Sequence, residues 1–575
     1  MALTGSRTSF PSTEQARASR AGNVAALTGE RPALQTYALA AAAGLLLAAA
    51  FPPLKLWPLA FVALVPLPLL SRRPGRSPFL VGYCFGFTFW LAGLAFLREV
   101  SWLAPIALAP IMALCQGAWV SAVCLILSSL ERKRGEDLAS LHQAHATYPD
   151  ALTAGRQGLF ALCGAACWLL LEWVRSWIAT GFPWNQLGGV LWEQPRLIQS
   201  CSYLGVHGLS FAICVVNLAL FLLLRRTPAA FSCTPPSYAV IGGAIAISAT
   251  ILLLPGSAPP PSHTDLKEIA LVQGNLPQIR NYENDELANA IQIYENLTRE
   301  LLQAQDPPSL IVWPETAIPA PLVFDNDCRA ALGRLFALNT ESWLLAGTIH
   351  YRFPPPGLKA PPDMTNSAII FTPDGLLEQV YDKIKIVPFG EFTPFEDQLP
   401  WLVELIGMGR SLLPGREYTL FEHEEARFGV NICYEDIFPQ VSANFAKQGA
   451  EFLMVITNDA WYGTTSGPEQ HLSHAVFRAV ETGLPLLRSG NNSDSCLILP
   501  DGTVTERLIR DGQRFVRGTQ RYQVPLVRRE QLTHYVRYGP WFLHAMAFLG
   551  GLSIAVCAVR KLSSNLTLIE RVEAA

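Results

Sequence analysis

The sequence predicts a polytopic α-helical membrane domain of eight transmembrane helices, joined to an extracytoplasmic α/β domain. Three observations lead there. The 575-residue chain is 50% hydrophobic and only 15% charged, whereas an average globular chain carries about 25% charged residues. Eight long apolar stretches occur, and the short connections between them alternate between basic and nearly uncharged. Between the seventh and eighth stretches the texture changes: charge returns and apolar runs shorten to strand length. The same composition excludes a disordered or collagen-like chain. Lys+Arg 43 against Asp+Glu 46 leaves a net charge of −3, so no basic field exists for nucleic acid. Most of the 12 cysteines stand singly in apolar runs (Cys84, Cys115, Cys163, Cys214, Cys557), where a thiol behaves as a small hydrophobe.

Taken in order, residues 1–33 are a polar cytoplasmic leader rich in Ser, Ala and Arg. The membrane domain follows over 34–256, with apolar stretches at 34–50, 56–70, 79–97, 102–127, 158–178, 201–224 and 238–254. The second is short and broken by Pro58, Pro66 and Pro68, so a re-entrant segment is its alternative. The eighth span is 541–559, and 560–575 is a cytoplasmic tail. Basic connections hold Arg72, Arg73 and Arg76; Arg132, Lys133 and Arg134; Arg225 and Arg226; and Arg560 and Lys561. All fall on one side if eight spans leave both termini in the cytoplasm, which puts the large segment outside. A short loop at 181–185, followed by Gly188 and Gly189, faces that same side and is expected to help line the domain's mouth. No intramembrane acidic or basic cluster is apparent, which speaks against a transporter.

The outer domain, 262–529, has candidate strands at 268–273, 310–313, 343–348, 367–372, 428–432, 452–457 and 484–488. Helical patterns lie at 286–305, 328–338 and 438–448. Strands alternating with helices read as an α/β domain with a largely buried sheet. Neither an internal repeat nor a glycine-rich phosphate loop is present.

Cys433, in GVNICYED, ends a strand and is followed by Glu435 and Asp436. A nucleophile at such a turn has backbone N–H groups nearby for an oxyanion, although a lone cysteine there is more often buried and inert. Glu315, in IVWPET, also ends a buried-type strand, where open α/β sheets build their sites. Lys383, in YDKIKIVPFGEF, precedes Glu391 by eight residues. A carboxylate can take a thiol proton, and an ammonium can offset charge on a tetrahedral intermediate. His471 and His474 share a helix face, but no zinc-type spacing accompanies them, so no metal is expected. Cys328, Cys433 and Cys496 are the outer domain's cysteines; a Cys328–Cys496 disulfide is an open alternative that spacing does not decide. The segment 393–414 is either a core helix or a lid touching the bilayer, with Trp401 and Leu405 four apart on a face that could meet lipid.

These blocks together resemble a known family. WPE with Glu315, YxKxxxVPFGE with Lys383 and Glu391, and NICYED with Cys433 are similar to the three signature regions of the nitrilase (carbon-nitrogen hydrolase) superfamily. VQGNLPQ (272–278), TNSA with Asn366, NDAWYG (458–463) and RAVETGLPLLR (478–488), on this membrane layout, resemble the apolipoprotein N-acyltransferase family over nearly the whole chain. The resemblance implies a four-layer α-β-β-α catalytic domain facing the periplasm, in a multi-pass protein of the bacterial inner membrane. It implies Glu315 as general base, Lys383 as oxyanion stabiliser and Cys433 as acylated nucleophile. Glu391 would be a further essential carboxylate, with Tyr434 and Glu435 flanking the nucleophile and Asn366 near the lysine. It implies no cofactor. The acyl donor would be a phospholipid, usually phosphatidylethanolamine, and the acceptor the α-amine of a diacylglyceryl-cysteine on an apolipoprotein. An amidase or phospholipase passing acyl groups to water is the alternative, and a ligand-binding transporter or sensor a remoter one. One departure is visible: the family's Asn-Thr-Gly turn after Arg488 is replaced by Asn491-Asn492-Ser493.

Overall fold

The computed structural model describes residues 34–131, 152–225, 236–257, 266–278, 284–318, 325–338, 341–354, 361–398, 400–401, 410–528 and 532–573. The leader and the basic residues 132–134 and 226 lie outside the described residues. Among those described, four helices are long and apolar enough to cross a bilayer: Leu103–Glu131, Ala154–Arg175, Val206–Leu224 and Trp541–Ser563. This corrects the expectation of eight. Three further apolar helices, Leu34–Ala48, Pro78–Gly93 and Tyr238–Leu253, are shorter. Pro78–Gly93 has 16 residues and rises about 24 Å, against roughly 30 Å of hydrocarbon. The stretch 56–70 is not one helix. It holds a 3-10 turn, Trp57–Phe61, and a six-residue helix, Pro66–Ser71, each with proline in its first turn. Proline starts helices readily but cannot continue one, because it has no N–H to donate. Apolar composition therefore reported burial here, not helix length.

A second correction concerns charge inside the membrane part. Glu172 and Arg175, near the end of the helix Ala154–Arg175, are both buried, as are Gln116, His207 and Asn217. Glu172 Oε1 accepts hydrogen bonds from Trp168 Nε1 (2.9 Å) and the backbone N–H of Leu187 (2.9 Å). The pair is hidden in the sequence because three charges, Arg156, Glu172 and Arg175, in a 22-residue apolar helix leave its average hydropathy high.

The outer part is built on twelve strands: β1 Leu266–Gln273, β2 Leu310–Val312, β3 Trp343–Arg352, β4 Asp363–Phe371, β5 Leu377–Asp382, β6 Leu420–His423, β7 Ala426–Ile432, β8 Phe452–Thr457, β9 Leu486–Gly490, β10 Cys496–Ile498, β11 Val504–Thr505 and β12 Gly518–Pro525. They form two open six-stranded sheets, ordered β12-β1-β2-β3-β4-β5 and β11-β10-β9-β8-β7-β6. Each sheet is parallel at its centre (β1-β2-β3 and β7-β8-β9) and antiparallel towards its edges. The seven strands expected from apolar runs are all present. The other five are short or lie at sheet edges, and their polar content hides them from a hydrophobicity reading. The helices Asn284–Leu302, Asn326–Leu338 and Pro439–Lys447 lie where the helical patterns placed them.

Alternation along the central strands assigns the faces. Ile269, Leu271, Leu310, Val312 and Leu345 join a core shared with the second sheet. Ala270, Val272, Ile311, Trp313 and Leu344 turn the other way, into a separate core with the helices Asn284–Leu302 and Asn326–Leu338. The second sheet, covered by the helices Pro439–Lys447 and Gly467–Thr482, has no core separate from the membrane part. Its residues Phe428, Val430 and Met454, the helix residues Phe445 and Val476, and the membrane residues Phe85, Trp119 and Phe221 belong to one continuous cluster. The regular four-layer α-β-β-α sandwich implied by the resemblance is thus corrected to two open mixed sheets, the second fused with the membrane part. No disulfide joins Cys328 to Cys496.

Candidate active site

Glu315, Lys383 and Cys433 come from different strand ends and meet in one buried place. Glu315 follows β2 and is 6% exposed. Its backbone lies against Gly347 of β3, where an added Cβ would stand 2.6 Å from Glu315 Cα. Only glycine permits that approach. Lys383 follows β5 and is 1% exposed. Its Nζ donates to Glu315 Oε1 (3.2 Å) and to Glu391 Oε1 (2.9 Å). Asn366, on β4, links the same two carboxylates: its Nδ2 donates to Glu315 Oε1 (2.8 Å) and Glu391 Oε1 (2.6 Å). The backbone N–H of Asn458 fixes Glu315 Oε2 (2.9 Å), and that of Val387 fixes Glu391 Oε2 (2.7 Å).

Cys433 sits at the exit of β7 with φ +51°, in the left-handed region, and opens the 3-10 turn Cys433–Ile437. Glu435 holds that turn. It accepts from the Ile432 N–H (2.8 Å), the Ile384 N–H (2.7 Å), the Lys385 N–H (3.2 Å) and the Tyr381 hydroxyl (2.8 Å). It therefore ties the nucleophile's turn to the lysine's turn. Tyr434 donates its hydroxyl to the Gly181 carbonyl (2.9 Å) in the loop after the helix Ala154–Arg175.

Electrostatics follow from burial and pairing. Burial pushes the Cys433 thiol well above its ordinary value, and Glu315 adds to that, while Lys383 and a hydrogen bond with Thr457 oppose it. Burial disfavours the charge on Lys383, but Glu315 and Glu391 outweigh it and leave its pKa raised. The ammonium persists at all ordinary pH. Burial lifts Glu435 to about 7 against the pull of its backbone donors at Ile432 and Ile384. The thiol thus rests protonated, with Glu315 and Lys383 near enough to shift its pKa in opposite senses.

Behind Cys433 lies a buried network that the sequence reading passed over. His471 Nδ1 is 2.7 Å from Asp459 Oδ1, and its Nε2 is 2.9 Å from Asp436 Oδ1 and 3.3 Å from the Cys433 carbonyl oxygen. Arg488 bridges the same aspartates, with Nη1 3.2 Å from Asp436 and Nη2 2.7 Å from Asp459. Burial lowers the pKa of His471, but Asp436 and Asp459 prevail and raise it to about 9. Asp459 is held below the usual carboxylate range: its burial is outweighed by His471 and Arg488. Ser493 also donates to Asp459, so the departure from the family's turn supplies a polar contact. Ligand atoms of Cys433, Asp459 and His471 lie within 4.8 Å of one another, yet a metal does not fit. Both imidazole nitrogens face aspartates, and a protonated ring has no lone pair to give.

A cavity of about 570 Å³ adjoins Tyr434, lined by Lys385, Phe392, Phe395, Leu412 and Phe438 among others. Phe395 is 70% exposed and Trp401 59%. Leu405 lies outside the described residues.

Both parts of the chain match known protein families. Residues 43–219 match the apolipoprotein N-acyltransferase N-terminal domain, and residues 268–528 match the carbon-nitrogen hydrolase family. The chain is 30% identical to the apolipoprotein N-acyltransferase of Geobacter metallireducens over 549 residues, covering 92% of this chain and 96% of the relative. It is 32% identical to that of Azotobacter vinelandii over 527 residues, covering 90% and 94%. Among solved structures, a mutant amidase of the nitrilase superfamily from Nesterenkonia AN1 aligns at 19% identity and a TM-score of 0.34, over 50% of this chain and 99% of that one. Length, motif order and both domain matches agree: the chain belongs to the apolipoprotein N-acyltransferase family.

Proposed function

We propose that this membrane enzyme moves an acyl chain from a phospholipid onto Cys433 as a thioester, and then to the α-amine of a diacylglyceryl-cysteine that begins an apolipoprotein. The observation that carries the reading is the meeting of Glu315, Lys383 and Cys433 beside a largely apolar cavity. Glu315 takes the thiol proton as Cys433 attacks the ester carbonyl. Lys383 has two of its three N–H donors on Glu315 and Glu391, and the third serves the carbonyl oxygen as negative charge grows there. Collapse of the tetrahedral intermediate expels the lysophospholipid alkoxide, which recovers the proton from Glu315. The acceptor amine then attacks the thioester, Glu315 takes one amine proton, and the departing Cys433 sulfur recovers that proton from Glu315 to restore the thiol. Glu391 and Asn366 position Lys383 and Glu315, and Glu435 positions the Cys433 turn. Phosphatidylethanolamine is the donor we expect.

We place the catalytic part on the periplasmic side of the inner membrane. Arg72 and Arg225 gather on Glu131 (2.8 and 3.0 Å) at one end of the helix Leu103–Glu131. At that helix's other end, Glu99 lies beside Gly463 of the catalytic part. Basic ends face the cytoplasm, so the site faces away from it. Phe395, which lines the cavity, and the exposed Trp401 mark the segment we take to be a lid that meets the bilayer.

The deciding experiment incubates purified protein with phosphatidylethanolamine and a synthetic diacylated lipopeptide and seeks the triacylated product by mass spectrometry. Release of free fatty acid without triacylated product would instead establish a hydrolase.

A further inference from the structure

We infer that Arg175 and Trp184, both contributed by the membrane part, are positioning residues for the thiol of Cys433. This rests on Cys433 being the acylated nucleophile, and it goes beyond anchoring or lipid capture as the role of the membrane helices.

The argument follows a chain of buried contacts. Arg175 ends the helix Ala154–Arg175 and is 5% exposed. Its guanidinium sits 4.7 Å from the ring centroid of Trp90, an arrangement that holds a desolvated cation, and its Nη1 donates to the Trp184 carbonyl. Its own carbonyl accepts from the Phe182 N–H at 2.8 Å. Arg175 therefore clamps both sides of the 181–184 turn. Gly181 in that turn has φ +90°, and a Cβ there would stand 2.2 Å from the Ser176 carbonyl oxygen, so the turn is a fixed shape that only glycine takes.

The turn presents two groups to the nucleophile's surroundings. The Gly181 carbonyl accepts the Tyr434 hydroxyl at 2.9 Å, one residue beyond Cys433. Trp184, 1% exposed, donates its Nε1 to Gln470 Oε1 at 2.8 Å and lays its ring 5.7 Å from that of His471. Gln470 in turn donates to the carbonyls of Pro52 and Gly93 (3.2 Å each), so the catalytic helix Gly467–Thr482 is pinned to the membrane part next to His471. His471 then faces the Cys433 carbonyl at 3.3 Å. Cys433 occupies a left-handed backbone conformation that is strained for a non-glycine residue and persists only when its surroundings over-determine it. The membrane loop is one of those surroundings, reaching the turn at both Tyr434 and His471. If the turn relaxed, Sγ would move relative to Glu315 and Lys383, which Asn366 of the first sheet also holds. A misplacement of about 1 Å can cost on the order of 100-fold in rate.

The test uses the full chain in detergent and a short, soluble p-nitrophenyl ester, which needs no lipid portal. Thioester formation on Cys433 is followed by nitrophenol release, with intact-mass confirmation, and kcat and KM are separated. Arg175→Met should lower kcat by about 30- to 100-fold with KM within about twofold, and slow Cys433 alkylation by iodoacetamide. Arg175→Lys, which keeps a cation over Trp90 and a donor near the Trp184 carbonyl, should recover to within about fivefold of wild type. Trp184→Leu should behave like Arg175→Met, and it decides the matter should that variant fail to fold. A folded Arg175→Met or Trp184→Leu with wild-type kcat, or one altered in KM alone, overturns the inference. Wild type that acylates Cys433 but yields no triacylated lipopeptide overturns the proposed acceptor and leaves this inference standing.

Discussion

Replacing Lys383 with methionine removes the one ammonium that the buried Glu315 and the partly buried Glu391 share. Each Lys383–carboxylate contact, at 3.2 and 2.9 Å, has a gross attraction of about 5 kcal/mol at an effective dielectric of 20. Desolvation consumes much of that. Removing one partner of a buried pair nonetheless costs about 3–5 kcal/mol, because the remaining charge is left uncompensated. Here the remainder is two carboxylates, Glu315 and Glu391, bridged by one Asn366 amide. Lys383→Met should therefore destabilise the catalytic part by about 3–5 kcal/mol, a fall of roughly 6–20 °C in Tm at some 2–4 °C per kcal/mol. It should also abolish detectable thioester formation, since loss of an oxyanion donor alone costs about 100- to 1000-fold. Adding Glu391→Gln to Lys383→Met removes the like-charge pair and should return more than half of the lost Tm without any activity. The assay is thermal unfolding of the purified variants in detergent, paired with intact-mass detection of the acyl adduct. A Lys383→Met protein melting within about 2 °C of wild type, or a double variant less stable still, would refute the reasoning that the ammonium neutralises both carboxylates.

Three further outcomes are expected. Cys433→Ser should stay folded but gain no acyl mass from phospholipid, because a hydroxyl lacks an accessible anionic form; an adduct on Cys328 or Cys496 instead would sink the assignment. His471, at about 9 folded against roughly 6.5 unfolded, contributes stability that is fully present below pH 6.5 and is lost as pH rises through 9. That amounts to about 3 kcal/mol, so wild-type Tm should fall between pH 6.5 and 9.5 while His471→Asn loses that slope; a flat wild-type profile would contradict the pairing with Asp436 and Asp459. Trp401→Ala should depress kcat/KM for long-chain phospholipid more than for a short soluble ester; equal losses would remove the lid.

What was legible in the sequence follows from what apolar patterning can report. Central strands such as Leu310–Val312 and Phe452–Thr457 are wholly buried and read as continuous apolar runs. Glu315, Lys383 and Cys433 stand out because polar residues end or follow such strands, and Glu391 and Asn366 came with the motifs that the family resemblance supplied. The structure brings all five together or beside one another. The network of His471, Asp436 and Asp459 is not legible in the sequence, since its members face one another across Arg488, a relation that no local spacing carries. The acidic pair Glu435 and Asp436 after the nucleophile is visible in the sequence, but nothing there ties Asp436 to His471. The membrane part misled for the opposite reason. Apolar residues buried inside the protein look the same as apolar residues facing lipid, so short and broken helices passed for spans.

The pairing of β1 with β12 has a bearing on how the enzyme is made. Leu266 lies opposite Pro525, and Gln273 opposite Gly518, so the first strand of the catalytic part to leave the ribosome waits for the last. Just past β12, the Val527 N–H reaches the Glu451 carbonyl (3.0 Å) ahead of β8, fastening the two sheets together. Glu315 belongs to the first sheet and Cys433 to the second, so this late segment adds a tie between the sheets that carry the carboxylate and the thiol. At roughly 5–20 residues per second, synthesis of the intervening chain leaves β1 without its partner for many seconds while the helices enter the bilayer. A product truncated before Gly518 would carry every catalytic side chain and lack the pairing that closes the edge of the first sheet.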